Sequence, residues 1–385
     1  MKKIYIVLFI TLLFSGVLDA QVVTGAERLQ RYVPLLLRKN VALLANQTSV
    51  VDKTHLLDTL ISVGVEVKKI FTPEHGFRGN ADAGEKVLDG KDVRTGIPII
   101  SLYGKHKKPT KCDMEGIDIV VFDIQDVGVR FYTYISTLHY VMEACVENNV
   151  KLFVLDRPNP NAFYIDGPVL ENEHKSFVGM HNVPVVYGMT IGEYAKFING
   201  EYISKSVGEC DLEIIELKRW NHQTRYKLPI KPSPNLPNYE SVLLYPSLCF
   251  FEGTVVSAGR GTKTPFQIFG APNMTKTDFS FIPQSIDGAC KYPKFQNMKC
   301  NGVNLKGKGS KIYRTKQLNL DYLIFAYENT PNKSVFFNPF FEKLAGTSIL
   351  RKQIMEGLTA EEISASWRED IEKFKMIRKK YLLYK

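Results

Sequence analysis

The eight residues IDIVVFDI, 117–124, hold this chain to a narrow choice of folds. Apart from Asp118 and Asp123 the run is apolar, and it does not alternate. A short continuous run of this kind reads as a β-strand buried on both faces, which requires helices on either side of a parallel sheet. The neighbouring segments agree. Val41–Ala45, Val65–Phe71, Ile97–Leu102, Lys151–Leu155, Val183–Val186 and Leu212–Leu217 read as strands. His55–Val63, Thr133–Asn148 and Ile191–Ile198 carry helical spacing. Strand–helix alternation of this length predicts an α/β protein with a doubly wound, mostly parallel, Rossmann-like sheet.

Polar residues recur just past these strands. Asn46 follows the first strand and TPEHG, with Glu74 and His75, follows the second. Asp123, Gln125, Asp126 and Arg130 follow IDIVVF, and Asp156, Arg157 and Asn159 follow KLFVL. In open α/β sheets ligands bind outside the carboxyl ends of the strands. A nucleotide is a poor candidate, because ANQTSV stands where a GxGxxG loop would be, and no GxxxxGK[ST] occurs.

The proline-rich PIKPSPNLP, 229–237, reads as an extended linker. Beyond it Ser241–Phe251 is expected to be a helix interrupted near Pro246, and Leu318–Tyr327 another. A capping box of Thr359 and Glu362 opens a last helix running through Trp367 towards Tyr381. The expected organisation is a segment 1–20, a Rossmann-like domain over 21–232, and a smaller α/β domain over 233–385 that closes a cleft. A length of 385 residues accommodates two domains.

Residues 1–20 pair a basic start, Lys2 and Lys3, with an apolar stretch, Ile4 to Phe14, and end on Ala20. This is the pattern of a secretory signal peptide cut after Ala20, although Leu18 at the −3 position is less favourable than alanine. The protein is expected to be exported, periplasmic or secreted, with no stable membrane insertion after cleavage. Net charge is +10, and removing Lys2, Lys3 and Asp19 leaves +9. The basic residues are scattered and carry no nucleic-acid-binding signature, so no nucleic acid partner is expected. Six cysteines lack metal-ligand spacing, and Cys290 and Cys300 could bridge a loop or stay free.

Glu74 sits on a constrained loop at the ligand edge, where a partly desolvated carboxyl can donate a proton. It also reads as a capping or turn carboxylate, and His75 as its orienting partner, a substrate ligand or a structural imidazole. In FDIQDVGVRFYTY, Arg130 can pair with Asp126 or with a ligand carboxylate, and Tyr132 and Tyr134 offer aromatic surface for a sugar. SAGRGTKTPF, with Arg260 and Lys263 near Glu252, is a glycine-flexed cationic loop suited to an anion. Asn235 lies in the linker, where a cleft between domains is expected. Glu74, His75, Asp123 and Asp126 are possible metal ligands, but no HExxH or paired-histidine spacing supports a metal or other cofactor. No GxSxG motif supports a serine nucleophile.

Five motifs in order resemble the exo-β-N-acetylmuramidases, the NamZ-like peptidoglycan hexosaminidases. They are TPEHGFRG at 72–79, FDIQDVGVRFYTY at 122–134, LDRPNPN at 155–161 with DGP at 166–168, SPNLPN at 233–238, and FEGTVVSAGRGTKTPFQIFGAP at 251–272. The resemblance spans nearly the whole chain after residue 20. It implies a glycoside hydrolase that releases N-acetylmuramic acid from the non-reducing ends of peptidoglycan fragments, with the glutamate of PEHG, Glu74, as leading catalytic residue. On that basis Glu74 is assigned the general acid, and Asp126 the second role, with Asp123, Glu252 and the substrate's own acetamido group as alternatives. Arg130, Arg260 and Lys263 are candidates to read the lactyl carboxylate. Asn46, Asp123, Gln125, Tyr132, Tyr134, Asp156, Asn159, Asn235 and Glu252 complete the expected substrate-binding set. A metal-dependent hydrolase on the same acidic edge and a non-catalytic muropeptide-binding protein are the competing readings.

Overall fold

The computed structural model describes residues 21–74, 76–77 and 89–384. Residues 1–20, His75, 78–88 and 385 lie outside them. Six parallel strands form the main sheet: β1 (Asn40–Ala45), β2 (Glu66–Thr72), β3 (Pro98–Ser101), β4 (Ile119–Asp123), β5 (Lys151–Leu155) and β6 (Leu212–Ile215). Their spatial order is 3-2-1-4-5-6, with a short antiparallel strand, Gly90–Lys91, added outside β3. This is the doubly wound order, and it reverses between β1 and β4, where a crevice opens at the carboxyl ends.

IDIVVFDI behaves as its composition requires. All five residues of β4 are buried. Alternate side chains of the central strands enter two cores. Ala42, Leu44, Val120 and Phe122 pack with Ile135, Leu138 and Met142 of the helix Tyr134–Glu147. Val41, Leu43, Ile119 and Val121 pack on the other face with Tyr32, Leu36, Leu56 and Leu60.

The second, smaller unit carries an antiparallel sheet of β7 (Ile268–Ala271), β8 (Phe279–Phe281) and β9 (Cys300–Asn304), with β9 central. Several short helices surround it. Tyr239–Leu248 continues through Pro246 rather than breaking there. A proline leaves the carbonyl four residues back without its helical donor, and here Asn161 Nδ2 supplies one to Val242 O at 3.3 Å.

Three further expectations are corrected. Val183–Val186 is not a strand: Val186 makes only isolated bridges, to Val129 and Asp166. Pro184 lacks the N–H a ladder needs. The last helix is two, Ala360–Ser366 and Arg368–Arg378, broken at Trp367, whose indole donates to Asp166 Oδ1 at 2.9 Å. The capping box of Thr359 and Glu362 is present as expected. Cys300 keeps a free thiol, so it makes no bridge to Cys290.

The units are joined by buried polar contacts. Arg130 is fully buried. It donates to Pro168 O and Val183 O at 2.7 Å, and to Leu344 O and Ala345 O at 2.9 and 2.7 Å. Burial pushes its pKa down to about 9, so it remains charged at neutral pH. The expectation that Arg130 reads a ligand carboxylate is therefore corrected: its terminal nitrogens are committed to backbone carbonyls. Asp156 is likewise an anchor. It accepts from Tyr384 Oη at 2.5 Å, Thr190 Oγ1 at 2.7 Å and Gly192 N at 2.8 Å, tying the chain end to the sheet.

Beneath the helix Tyr134–Glu147 two imidazoles meet. His139 Nδ1 and His181 Nε2 are 2.9 Å apart, and His181 Nδ1 lies 3.0 Å from Tyr194 Oη. Glu143 faces His139 at 3.3 Å, and Lys108 and Lys175 contribute opposing charge. Burial lowers both histidine pKa values, that of His181 further because His139 adjoins it.

Two predictions follow from this packing. Arg130→Met should destabilise the protein by about 3 kcal/mol or more, since it strips donors from four buried carbonyls; a denaturant midpoint implying less than about 1 kcal/mol would refute that role. The unfolded chain binds protons at its histidines below pH ~6.5, where the folded pair resists them, so the stability from keeping this pair neutral is lost as pH falls. Between pH 7 and pH 5 the wild type should therefore lose melting temperature more steeply than His139→Gln/His181→Gln; equal slopes would show that the pair does not titrate in this way.

Candidate active site

The loops leaving the central strands build the site. After β2 the chain turns at Pro73–Gly76, closed by Gly76 N donating to Pro73 O at 3.1 Å. Gly76 takes φ of 75°, which favours glycine. The turn presents Glu74, half-buried, at the crevice. Tyr103, just beyond β3, donates to Glu74 Oε1 at 3.1 Å. Thr133, at the start of the helix after β4, donates to Oε2 at 3.2 Å. Burial, followed by the adjoining Glu74, drives the Tyr103 phenol upward, so this hydroxyl stays protonated as a donor.

A small cavity opens over this carboxyl. Both units line it. Glu74, Thr133 and Tyr134 come from the sheet edge, Ser233 and Asn235 from the linker, and Arg260 from the second unit. Tyr132 joins the wall and donates to Pro232 O at 2.8 Å, which pins the linker. Edge-to-face contacts run from Tyr134 to Tyr132 to Tyr245 to Phe266, with ring centroids 4.8, 6.0 and 4.9 Å apart. This aromatic wall crosses from one unit to the other. Asn235 is held by its Nδ2 donating to Ala289 O at 2.7 Å.

Of the residues singled out from sequence, the structure brings Glu74, Tyr132, Tyr134, Asn235 and Arg260 around one cavity. His75 lies outside the described residues. The others are elsewhere or otherwise engaged. Asp123 forms a buried two-point ion pair with Arg157, at 2.6 and 2.8 Å. Burial opposes the Arg157 charge, but the Asp123 carboxylate outweighs it and raises the guanidinium pKa. Asn46 Oδ1 accepts from Thr48 N and Oγ1 at 2.9 and 2.6 Å, while its Nδ2 donates to Tyr134 Oη at 3.0 Å. Gln125 donates to Asp126 O and Pro158 O, both at 2.7 Å. Asn159 donates to Met189 O at 2.8 Å. These four brace the loops rather than line the cavity. Glu252 pairs with Arg260 at 2.8 Å, and Lys263 is exposed away from the lining.

Asp126 sits behind the wall. It is 3% exposed and does not line the cavity. Oδ2 accepts from Gly128 N at 2.6 Å and from the Tyr187 hydroxyl, while Oδ1 has no partner among the described residues. Burial raises its pKa to about 6.

Sequence reasoning passed over Tyr103 and Thr133. The rule that polar residues just past strands face the ligand would have found Tyr103, which follows Ile97–Leu102. Thr133 stands between the two tyrosines already selected. Among the described residues no three His, Cys, Asp or Glu side chains cluster as a cation site needs.

A doubly wound sheet whose switch-point crevice is roofed by a second unit, with a carboxyl held there by two hydroxyls, is the frame of an enzyme able to do acid–base chemistry in a cleft. The N-terminal-domain profile of exo-beta-N-acetylmuramidase NamZ matches residues 41–240, and its C-terminal-domain profile matches 243–384. The chain belongs to the NamZ exo-β-N-acetylmuramidase family. It is 37% identical to the peptidoglycan beta-N-acetylmuramidase NamZ of Bacillus subtilis (strain 168), over 94% of this chain and 92% of that protein. Two crystal structures of DUF1343 family proteins from Bacteroides fragilis NCTC 9343 share the fold. One is 48% identical with a TM-score of 0.88, covering 95% of this chain and 99% of the other. The second is 29% identical with a TM-score of 0.76, covering 94% and 99%.

If Tyr103 and Thr133 hold the Glu74 carboxyl for chemistry, Tyr103→Phe and Thr133→Val should each lower kcat by about tenfold, the loss of one hydrogen bond in the transition state. Thermal melts should shift little. Unchanged kcat in both variants would remove these residues from the catalytic apparatus.

Proposed function

We propose that this protein is an exo-acting glycosidase that releases N-acetylmuramic acid from the non-reducing ends of peptidoglycan fragments, with Glu74 as general acid. Family membership supports the activity. The observation that carries the residue assignment is that Glu74 is the carboxylate lining a cavity which, among the described residues, also holds a guanidinium. A compact cavity closed by a second unit suits a terminal sugar better than an internal one.

In the proposed reaction Glu74 gives its proton to the glycosidic oxygen as the bond from that oxygen to the sugar's anomeric carbon breaks. The shortened fragment leaves as an alcohol, and water supplies the hydroxyl of the released sugar. Some group must also act on the opposite ring face. Asp126, first choice from sequence, is buried behind Tyr132 and Tyr134, and Asp123 and Glu252 are engaged in ion pairs. That leaves the substrate's acetamido oxygen as the better-supported nucleophile. The division into units near residue 233 and export guided by residues 1–20 belong to the same reading; the basic, apolar and small-residue pattern of that segment supports export.

The test is sugar release from a β-linked N-acetylmuramic acid–N-acetylglucosamine disaccharide, with and without EDTA, by wild type and Glu74→Gln. Release should survive EDTA and fall by at least about 10²-fold in the variant. Loss of release in EDTA would favour a metal-dependent hydrolase. Binding without release by folded wild type would favour a non-catalytic clamp.

A further inference from the structure

Arg260 has an uncommitted edge. Its Nε donates to Glu252 Oε1 at 2.8 Å, and its guanidinium carbon lies 5.0 Å from the centre of the Phe266 ring. Among the described residues the guanidinium makes no other hydrogen bond, and Nη1 is buried without a partner. A desolvated guanidinium nitrogen lacking an acceptor is costly unless a ligand provides one. The side chain is 23% exposed and lines the cavity that holds Glu74. Planar forks of this kind match carboxylates with two parallel bonds.

The surroundings hold the fork still. Gly259 and Gly261, on either side of Arg260, take φ of 79° and 78°. A Cβ on Gly261 would lie 2.6 Å from Gln284 O, so the loop excludes larger residues there. Lys294, which sequence reasoning overlooked, organises the segment carrying Glu252. Its ammonium donates to Phe251 O and Thr254 O at 2.8 Å, and lies 3.3 Å from Val256 O. Of the three cations expected to read an anionic substrate, Arg130 is committed to carbonyls and Lys263 is outside the lining. Only Arg260 lines the cavity.

We propose that Arg260 is the specificity-determining residue of this cleft: its uncommitted edge binds the lactyl carboxylate that distinguishes N-acetylmuramic acid from N-acetylglucosamine, with Glu252 and Lys294 as positioning residues. This rests on the substrate reading above. A sugar without that carboxylate leaves the fork desolvated and unpaired, so it is rejected rather than merely held less well.

The experiment compares kcat/KM on the β-linked muramyl disaccharide and on the same disaccharide with its lactyl carboxylate converted to a methylamide. Wild type should prefer the acid by roughly 10- to 100-fold, the worth of a charge-assisted hydrogen-bonded pair. Arg260→Gln should collapse that ratio towards one, and Arg260→Lys should restore part of it. Because Arg260→Gln strands the Glu252 carboxylate, Glu252→Gln/Arg260→Gln is measured beside it and should behave alike. Glu252→Gln and Lys294→Met alone should raise KM for the acid with kcat little changed, which a general loss of structure would not do. A preference that persists in folded Arg260 variants overturns this proposal and leaves the muramidase reading intact. Failure of wild type to cleave either disaccharide overturns both.

Discussion

The strands buried on both faces pass here into loops that are themselves buried, and a buried loop needs partners for its backbone polar groups. That constraint governs the carboxyl edge of this sheet. Gln125 and Asn159 donate to loop carbonyls, and Asn46 and Asp126 accept from loop N–H groups. Asp123 meets Arg157, whose guanidinium also reaches Val50 O at 3.1 Å. The polar ring past the strands is first the scaffold of the loops. The site is made from the few polar side chains that this scaffold leaves facing the crevice.

The same principle joins the two units. Arg130 links the loops of the first unit to Leu344 and Ala345 of the second. Asp166 accepts from Leu318 N at 2.7 Å as well as from Trp367. Tyr384 returns to Asp156, just past the carboxyl end of β5. These buried contacts set where the second unit sits, and so set the distance at which Arg260 faces Glu74 across the cavity. Their energetic worth lies less in net attraction than in the cost of breaking them, since each removal leaves a buried group unpaired.

Much of the fold could be read from the chain. The continuous run at IDIVVFDI, the helical spacing after Thr133 and the capping box at Thr359 are local signals, and each element formed near its expected place. The misreadings have tertiary causes. Pro246 did not break its helix because Asn161, 85 positions away by their numbers, supplied a donor. The last helix divides at Trp367, where the backbone leaves helical dihedrals and the indole is held by Asp166. At the site, Glu74 stood out through its turn, whereas Lys294 had no local mark: a lysine whose ammonium is surrounded by carbonyls looks like any other lysine in a sequence.

By itself the sequence determined the sheet, its winding, the edge at which the candidate site forms and the family to which the chain belongs. Hydrophobic period, turn residues and motif order are properties of neighbouring positions and can be read in one dimension. Only the tertiary structure decided which of the carboxylates and cations at that edge remain available to a substrate. Asp123, Asp126, Arg130 and Arg260 are all plausible ligands by residue type. Their difference lies in what donors and acceptors each meets from distant parts of the chain, and those partners exist only once the chain has folded.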